Sequence, residues 1–203
     1  GDDSLENECG LAVLVETARM WLSLGHHDRH GAWRIDGVTG PDEYTAIVRD
    51  NVFNNLMAAA NLRVAAEACG RHPDASAEVG VDHEYDKELG VHPQCDGFTT
   101  LREWDFTVNT QYPLLLHEPY VRLYPAQVIK QADLVLAMQW QSHAFTPEQK
   151  ARNVDYYERR TTRDSSLSPC TQAALCAEVG HPELAHDYAY QAALTDPRAP
   201  RPH

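Results

Sequence analysis

The chain has 203 residues, of which 43% are hydrophobic and 23% charged, a composition that fits a soluble globular protein and excludes a disordered one. Its formal net charge of −13 argues against nucleic acid as a partner, so an anion site would have to be built locally against the overall field. No apolar run approaches the ~20 residues of a membrane span, which argues against membrane insertion. The five cysteines are scattered and never spaced as Cys-x-x-Cys, which indicates buried thiols in a reducing compartment, and we expect a cytoplasmic protein.

Helical hydrophobic periodicity recurs in six segments that begin or end at Gly, Pro or capping residues. The predicted helices are 4–24, 51–69, 127–141, 147–158, 170–178 and 182–194. Between 71 and 118 the pattern lapses among repeated Gly and Pro, which predicts long ordered loops of the kind that usually carry function. Consecutive helices joined by loops of unequal length indicate an all-α class. The last pair superficially resembles a tetratricopeptide unit, but no second copy follows at the ~34-residue period, so a helical-repeat binding module is less favoured.

The segment 34–45 is the first candidate for chemistry. A β-branched run ends at Gly40 and Pro41, which break regular structure, and Asp42 and Glu43 follow ahead of the second predicted helix. A carboxylic acid on a rigid turn with apolar walls is placed to act as a general acid. The alternative is that Asp42 caps the helix and Glu43 complements its dipole. The residue types alone leave both interpretations open.

Polar residues also stand at the starts of two predicted helices. The helix 127–141 is apolar almost all round after its first turn, which indicates an inner helix. Lys130 and Gln131 must therefore find partners there or face a cavity. The Asn-rich run 50–55 either caps the helix 51–69 or orients the carboxylate that precedes it.

The segment 159–169 combines arginines and hydroxyls directly ahead of the helix 170–178. Backbone N–H groups, hydroxyl donors and arginine at a helix N-terminus together form an anion site. The alternative is that Ser168 caps the helix, Pro169 is its first residue and the arginines pair with surface acids. In contrast, His26, His27 and His30 lack the spacing of metal ligands and indicate a solvated loop, so no metal site is predicted.

Three separated stretches, taken together, match one family. They are Gly-Val-Thr-Gly-Pro-Asp-Glu-Tyr at 37–44, Lys-Gln-Ala-Asp at 130–133, and Tyr-Tyr-Glu-Arg-Arg-Thr-Thr-Arg-Asp-Ser-Ser-Leu-Ser at 156–168. In order and spacing the chain resembles the catalytic domain of the family 65 glycoside hydrolases and phosphorylases, which includes maltose, kojibiose and trehalose phosphorylases. The resemblance implies part of an (α/α)6 barrel, whose inner-helix ends and long loops form the active-site pocket.

The resemblance also implies roles for the matching residues. Glu43 would be the general acid that protonates the glycosidic oxygen. The other implied site residues are the sugar-binding Lys130 and Gln131 and the phosphate-binding Ser165, Ser166 and Arg163. In an inverting mechanism the nucleophile attacks the face opposite the leaving group, and a phosphorylase uses phosphate as that nucleophile. The implied reaction converts an α-linked glucose disaccharide of the trehalose, maltose or kojibiose type and phosphate into β-glucose 1-phosphate and the released sugar, without a metal or organic cofactor.

The chain departs from the family pattern at two of these motifs. Thr45 stands where many members carry His, and Arg163 stands where several phosphorylases carry His. Residues 1–203 are interpreted as a single domain, the C-terminal portion of the barrel. The N-terminal β-sandwich, early barrel helices and C-terminal β domain of an intact member are expected to lie outside them. We therefore expect the isolated chain to be inactive.

Two alternatives remain open at this stage. One is an inverting α-glucoside hydrolase of the trehalase or kojibiose hydrolase type, in which a second carboxylate such as Asp164 activates water. The other is an inactive helical fragment or binding module. The expected partners are a disaccharide and phosphate, with no nucleic acid and no membrane, and a homodimer of the full-length protein is left open.

Overall fold

The computed structural model describes residues 9–71, 84–108 and 111–194, and these residues form a mainly helical fold. Its helices are α1 (Leu11–Leu24), α2 (Val52–Arg71), α3 (Tyr120–Leu123), α4 (Asp133–Trp140), α5 (Pro147–Glu158), α6 (Pro169–Glu178) and α7 (Pro182–Leu194). Its strands are β1 (Gly25–His27), β2 (Trp33–Ile35), β3 (Arg102–Glu103) and β4 (Ala126–Gln127). The pair β1–β2 is antiparallel and the pair β3–β4 is parallel. Within the described parts of the chain, no helix combines the length and hydrophobicity needed to cross a membrane.

Local signals define several helix ends. Thr146 caps α5 with a complete capping box: its side chain accepts from the backbone N–H of Gln149, whose own side chain accepts from the Thr146 N–H. Gly180 separates α6 from α7 at a φ of +90°, a left-handed conformation that costs glycine little. The backbone N–H of His181 then donates to the carbonyl of Cys176, which closes the end of α6.

The core is centred on α4, which contacts α2, α5 and α6. Its side chains Leu134, Ala137 and Met138 are fully buried, as expected for an inner helix of an all-α fold. The neighbouring helices α1 and α2, and likewise α6 and α7, pack against each other as consecutive pairs. A second hydrophobic cluster lies under the loops and consists of Tyr44, Trp104, Leu114, Leu123, Ala126 and Val128. This second cluster supports the loops that carry the candidate site.

The prediction of a helix over 127–141 is wrong in its first six residues. Gln127 belongs to β4, and Ile129 is extended, because its N–H donates to the Arg160 carbonyl and its own carbonyl accepts from the Thr162 N–H. A short buried apolar run is ambiguous between helix and strand, and here pairing with distant backbone decides for the extended form. The predicted helices 147–158 and 182–194 are present with the predicted ends, and those over 51–69 and 170–178 are present with ends shifted by one or two residues. The first helix begins at Leu11, and its predicted residues 4–8 lie outside the described residues.

Candidate active site

Three loops meet at the N-terminal end of α4. The first, the acid loop, is 37–45. The second, the Lys130 loop, is 128–132, and the third, the hydroxyl-rich loop, is 161–168. The second and third are joined by a parallel bridge between Ile129 and Thr161. The three motifs that carry the family resemblance therefore lie together in space although they are up to about 120 residues apart in sequence.

Glu43 and Lys130 form the contact between the first two loops. The Lys130 Nζ atom lies 2.8 Å from Oε2 of Glu43. The Glu43 side chain is 53% exposed and that of Lys130 is 20% exposed, so the carboxyl group is open to a ligand while the ammonium group holds its direction. A general acid must reach the glycosidic oxygen in a defined orientation, and the exposure and the fixed direction of the Glu43 side chain meet this geometric requirement. The structure thus brings together two residues predicted to share a site.

Gln131 connects the first loop to the third. Its Nε2 atom donates to the carbonyl of Pro41, and its Oε1 atom accepts from the Ser165 hydroxyl at 3.0 Å. Ser165 is buried, and its Oγ also accepts from the backbone N–H of Leu167 at 3.2 Å. An open groove runs beside Gln131 between α4 and α6. Gln131 therefore sits where the acid loop, the hydroxyl-rich loop and open space meet.

The other two predicted phosphate residues are placed differently. Ser166 is exposed beside Ser165. Arg163 adopts a φ of +58°, and its guanidinium group donates to Glu158 and lies over the ring of Tyr188, with its Cζ 5.2 Å from the ring centroid. The structure does not bring this guanidinium group to Glu43 and Lys130. A role for Arg163 in phosphate binding stays a prediction.

The alternative interpretations of these motifs have mixed outcomes. Asp42 does not cap α2, because Asn51 takes that place and accepts from the backbone N–H groups of Phe53 and Asn54. Ser168 makes no side-chain cap bond to α6, although Pro169 is the first residue of that helix. Pairing with acids is found for two of the arginines: Arg163 contacts Glu158 as described, and a second arginine, just before the third loop, lies 2.7 Å from an acid.

That second arginine is Arg160, whose Nη2 contacts Oε1 of Glu103. Its guanidinium group also lies over the ring of Tyr156, with its Cζ 3.7 Å from the ring centroid. The Nε atom donates to Gln127 at 2.7 Å. Arg160 therefore braces the base of the third loop against β4, which is a structural role.

A buried carboxyl pair lies beneath the acid loop. Asp42 and Asp133 are both fully buried, and the backbone N–H of Asp42 donates to Oδ1 of Asp133 at 2.6 Å. Burial raises the pKa of both carboxyls, and the nearby charge of Asp42 raises the pKa of Asp133 further. Asn51 supports the pair, since its Nδ2 donates to Oδ2 of Asp133 at 2.6 Å. Sequence reasoning considered Asp42 only together with Glu43 or as a helix cap and assigned no role to Asp133, although both acids fall inside the matched motifs.

Tyr44 makes a further connection that the sequence analysis missed. Its buried hydroxyl donates to Oδ2 of Asp164 at 3.1 Å and accepts from the backbone N–H of Leu115 at 3.2 Å. Burial raises the pKa of this phenol, so it remains a neutral donor. The first loop is thereby tied to the third from below as well as through Gln131. The only sequence signal was the aromatic residue following Asp42 and Glu43, which is equally typical of core packing.

Comparisons with known proteins agree with this arrangement. A family model for the glycosyl hydrolase family 65 central catalytic domain matches residues 1–201. An uncharacterized glycosyl hydrolase of Mycobacterium tuberculosis is 75% identical over 213 residues, covering 98% of this chain and 27% of that protein. An α,α-trehalose phosphorylase of Geobacillus stearothermophilus is 38% identical over 217 residues, covering 92% of this chain and 28% of that protein.

The fold has a counterpart among solved structures. A candidate kojibiose phosphorylase from the human microbiome superposes with a TM-score of 0.80 at 26% identity, covering 92% of this chain and 31% of that chain. The chain spans between a quarter and a third of the length of these relatives. By the extent of the family match and the likeness of the fold, the chain belongs to glycosyl hydrolase family 65 and forms part of an (α/α)6 barrel of that family's central catalytic domain.

Proposed function

We propose that the full-length protein carrying this chain catalyses inverting phosphorolysis of an α-glucosyl disaccharide of the trehalose, maltose or kojibiose type. The products are β-glucose 1-phosphate and the released sugar. The names of the relatives support this proposal, since they include trehalose, maltose and kojibiose phosphorylases at 28–38% identity. A metal or organic cofactor is not invoked, because phosphate serves as the co-substrate.

The proposed chemistry assigns one role to each of the three loops. Glu43 gives its proton to the glycosidic oxygen, which leaves as the hydroxyl of the released sugar with the electron pair of the broken C–O bond. A phosphate oxygen attacks the anomeric carbon from the opposite face and forms the new C–O bond with inverted configuration. Lys130 and Gln131 hold the glucosyl unit, and the loop with Ser165 and Ser166 holds phosphate.

One observation carries the proposal. The Gln131 side chain accepts from the Ser165 hydroxyl at 3.0 Å, and the adjacent Lys130 contacts Glu43 at 2.8 Å. The candidate acid, the candidate sugar ligands and the hydroxyl-rich loop are therefore linked in one continuous set of contacts. Phosphorolysis requires all three within the reach of one substrate.

The surroundings of Asp164 bear on the hydrolase alternative. Its Oδ1 accepts from the Thr162 hydroxyl at 2.6 Å, and its Oδ2 accepts from Tyr44 and from the Leu114 N–H. A carboxylate that accepts from three donors has most of its acceptor capacity occupied, which leaves little of it to bind an attacking water. These contacts support a structural role for Asp164 and favour phosphate over water as the nucleophile.

Activity assays on the full-length protein test the proposal. Trehalose, maltose, kojibiose and nigerose are each incubated with and without phosphate, and β-glucose 1-phosphate and free glucose are measured. We expect phosphate-dependent turnover of one of them, reduced by about 10²–10⁴-fold in Glu43→Gln, the usual contribution of general acid catalysis. The exposed Glu16→Gln on α1 is the matched control and should retain activity. Turnover without phosphate would instead establish a hydrolase, and full activity of Glu43→Gln would refute the assignment of the acid.

A further inference from the structure

The buried Asp42 carboxylate joins the backbones on both sides of the Glu43–Lys130 pair. Its Oδ1 atom accepts from the backbone N–H of Lys130 at 3.0 Å and from that of Tyr44 at 3.2 Å. These two N–H groups belong to Lys130 itself and to the residue directly after Glu43. A single oxygen atom thus fixes the separation of the two chain segments from which the Glu43 and Lys130 side chains extend.

The second oxygen of Asp42 is held as firmly as the first. Its Oδ2 accepts from the Thr45 hydroxyl at 2.7 Å and from the Gln94 side-chain amide at 2.9 Å. Gln94 is fully buried and accepts from the backbone N–H of Asp133 through its Oε1 at 3.1 Å. The orientation of the Asp42 carboxylate is therefore determined by four donors, two on each oxygen, in a site without access to water.

Burying a carboxylate costs desolvation free energy, so the number of donors around Asp42 indicates what the residue does in the fold. A hydrophobic residue at position 42 would avoid the desolvation of a charge, and a simple turn needs only one or two hydrogen bonds. The four donors come from the acid loop, from the Lys130 loop and from Gln94. The arrangement holds separate chain segments in register, which is the property a preorganised site requires.

We infer that Asp42 is a positioning residue that sets the geometry of the general acid Glu43 against Lys130. It has no contact with the reacting atoms and acts through the two backbones that it joins. This inference rests on the proposed role of Glu43 and adds the residue that keeps the acid in place. Misplacing a catalytic group by about 1 Å can lower the rate on the order of 10²-fold. Loss of the Asp42 carboxylate should therefore lower kcat.

The test compares leaving groups in the full-length protein. Asparagine at position 42 keeps the shape but replaces one acceptor oxygen by an amide donor, so it must lose bonds on one side. Asp42→Asn should reduce kcat for the disaccharide by about 10–100-fold. The rate with α-glucosyl fluoride should fall by less than about threefold, because fluoride departs with little help from an acid. A purely structural defect would lower both rates alike.

Two other variants separate the possible outcomes. Asp36→Asn removes an exposed carboxylate that contacts Arg49 and is the control for loss of charge in the same segment; it should be unchanged with both substrates. Thr45→Val removes the 2.7 Å bond to Asp42 and the 3.0 Å bond that the hydroxyl accepts from Gln94, and it should show a weaker selective loss if Asp42→Asn does not fold.

The outcomes distinguish this inference from the function on which it rests. If Glu43→Gln loses the disaccharide reaction selectively but Asp42→Asn and Thr45→Val lose both substrates equally, or neither, the positioning role of Asp42 is wrong and the acid assignment stands. If Glu43→Gln itself shows no selective loss, the proposed role of Glu43 is wrong. A selective loss in all three variants supports both.

Discussion

Gly40 offers a sharp test of how tightly the acid loop is packed on α4. A Cβ atom added at this position would lie 2.1 Å from Oδ2 of Asp133 and 2.5 Å from Nδ2 of Asn51. Both side chains are fully buried and bonded to each other at 2.6 Å, so neither can move without leaving a buried polar group unpaired. The Gly40→Ala substitution therefore combines a steric clash with the loss of a buried hydrogen bond.

The expected cost follows from those two effects. Overpacking in a rigid core costs about 1–3 kcal/mol, and an unpaired buried donor or acceptor costs about 1–3 kcal/mol. We expect Gly40→Ala to lower the free energy of unfolding by about 2–6 kcal/mol. The exposed Gly70 near the end of α2 has open space around its Cβ position and serves as the control. Gly70→Ala should be neutral or stabilise by up to about 1 kcal/mol.

The measurement is urea unfolding of the full-length protein, followed by the change in tryptophan fluorescence and interpreted through the transition midpoint and slope. Disaccharide turnover is measured on the same samples under native conditions, and it should fall with Gly40→Ala because the acid loop is displaced. A Gly40→Ala variant whose unfolding free energy and turnover match those of Gly70→Ala would refute this description of the contact between the acid loop and α4.

Three further predictions concern other parts of the chain. Tyr44→Phe leaves the Leu115 N–H unpaired and removes a donor to Asp164, so it should lower unfolding free energy by about 1–3 kcal/mol and raise the KM for phosphate. Cys170→Ser should remove one fast-reacting thiol in a titration with a disulfide reagent at pH 8, whereas Cys95→Ser should not, because burial raises the pKa of Cys95 to about 12. Asp28→Asn should reduce the loss of stability between pH 4 and pH 2.

The sign of the Asp28 effect follows from its hydrogen bonds. The backbone N–H of His30 donates to the carboxylate and, with Arg34, lowers the pKa of Asp28 to about 2. The stabilisation is present above the unfolded pKa of about 3.9 and is lost as the pH falls towards 2. Acid unfolding curves are compared with those of Asp187→Asn, an exposed control. Identical curves for Asp28→Asn and the unmodified protein would contradict this effect.

Specific results would likewise contradict the predictions for Tyr44→Phe and for the thiol titration. If Tyr44→Phe changes neither stability nor the phosphate KM, the connection between the acid loop and Asp164 does not contribute to the site. If the fast phase of the thiol titration loses one equivalent in Cys95→Ser, the Cys95 side chain is reached by solvent, against its 4% exposure.

Local sequence signals predicted the structure correctly where the interactions that determine a segment lie within that segment. The start of α5 at residue 147 was predicted correctly, because the capping box of Thr146 and Gln149 that defines it lies within one turn. The apolar face of 133–140 correctly predicted an inner helix. The same reasoning failed at 127–132, where hydrophobicity is shared by a buried strand and a buried helix. There the pairing of Ile129 with the distant segment 160–162 decided the conformation.

The candidate site divides in the same way. The sequence alone, through three motifs in order, was enough to identify the family and to propose Glu43, Lys130 and Gln131. The tertiary structure decided which groups meet. Glu43 contacts Lys130, and Gln131 contacts Ser165. The Arg163 guanidinium group contacts Glu158 and is not brought to Glu43 and Lys130. Contacts of this kind join residues far apart in the chain, and periodicity and capping patterns carry no information about them.

Asp42 shows this difference most clearly. From the sequence it had the properties of a helix cap, because an acid after Gly-Pro and ahead of a helix is common at such positions. In the folded chain it is fully buried and accepts hydrogen bonds from residues 44, 45, 94 and 130. Residue type determined that Asp42 could accept several hydrogen bonds. Only the packing of distant segments around a water-free position determined which donors it received.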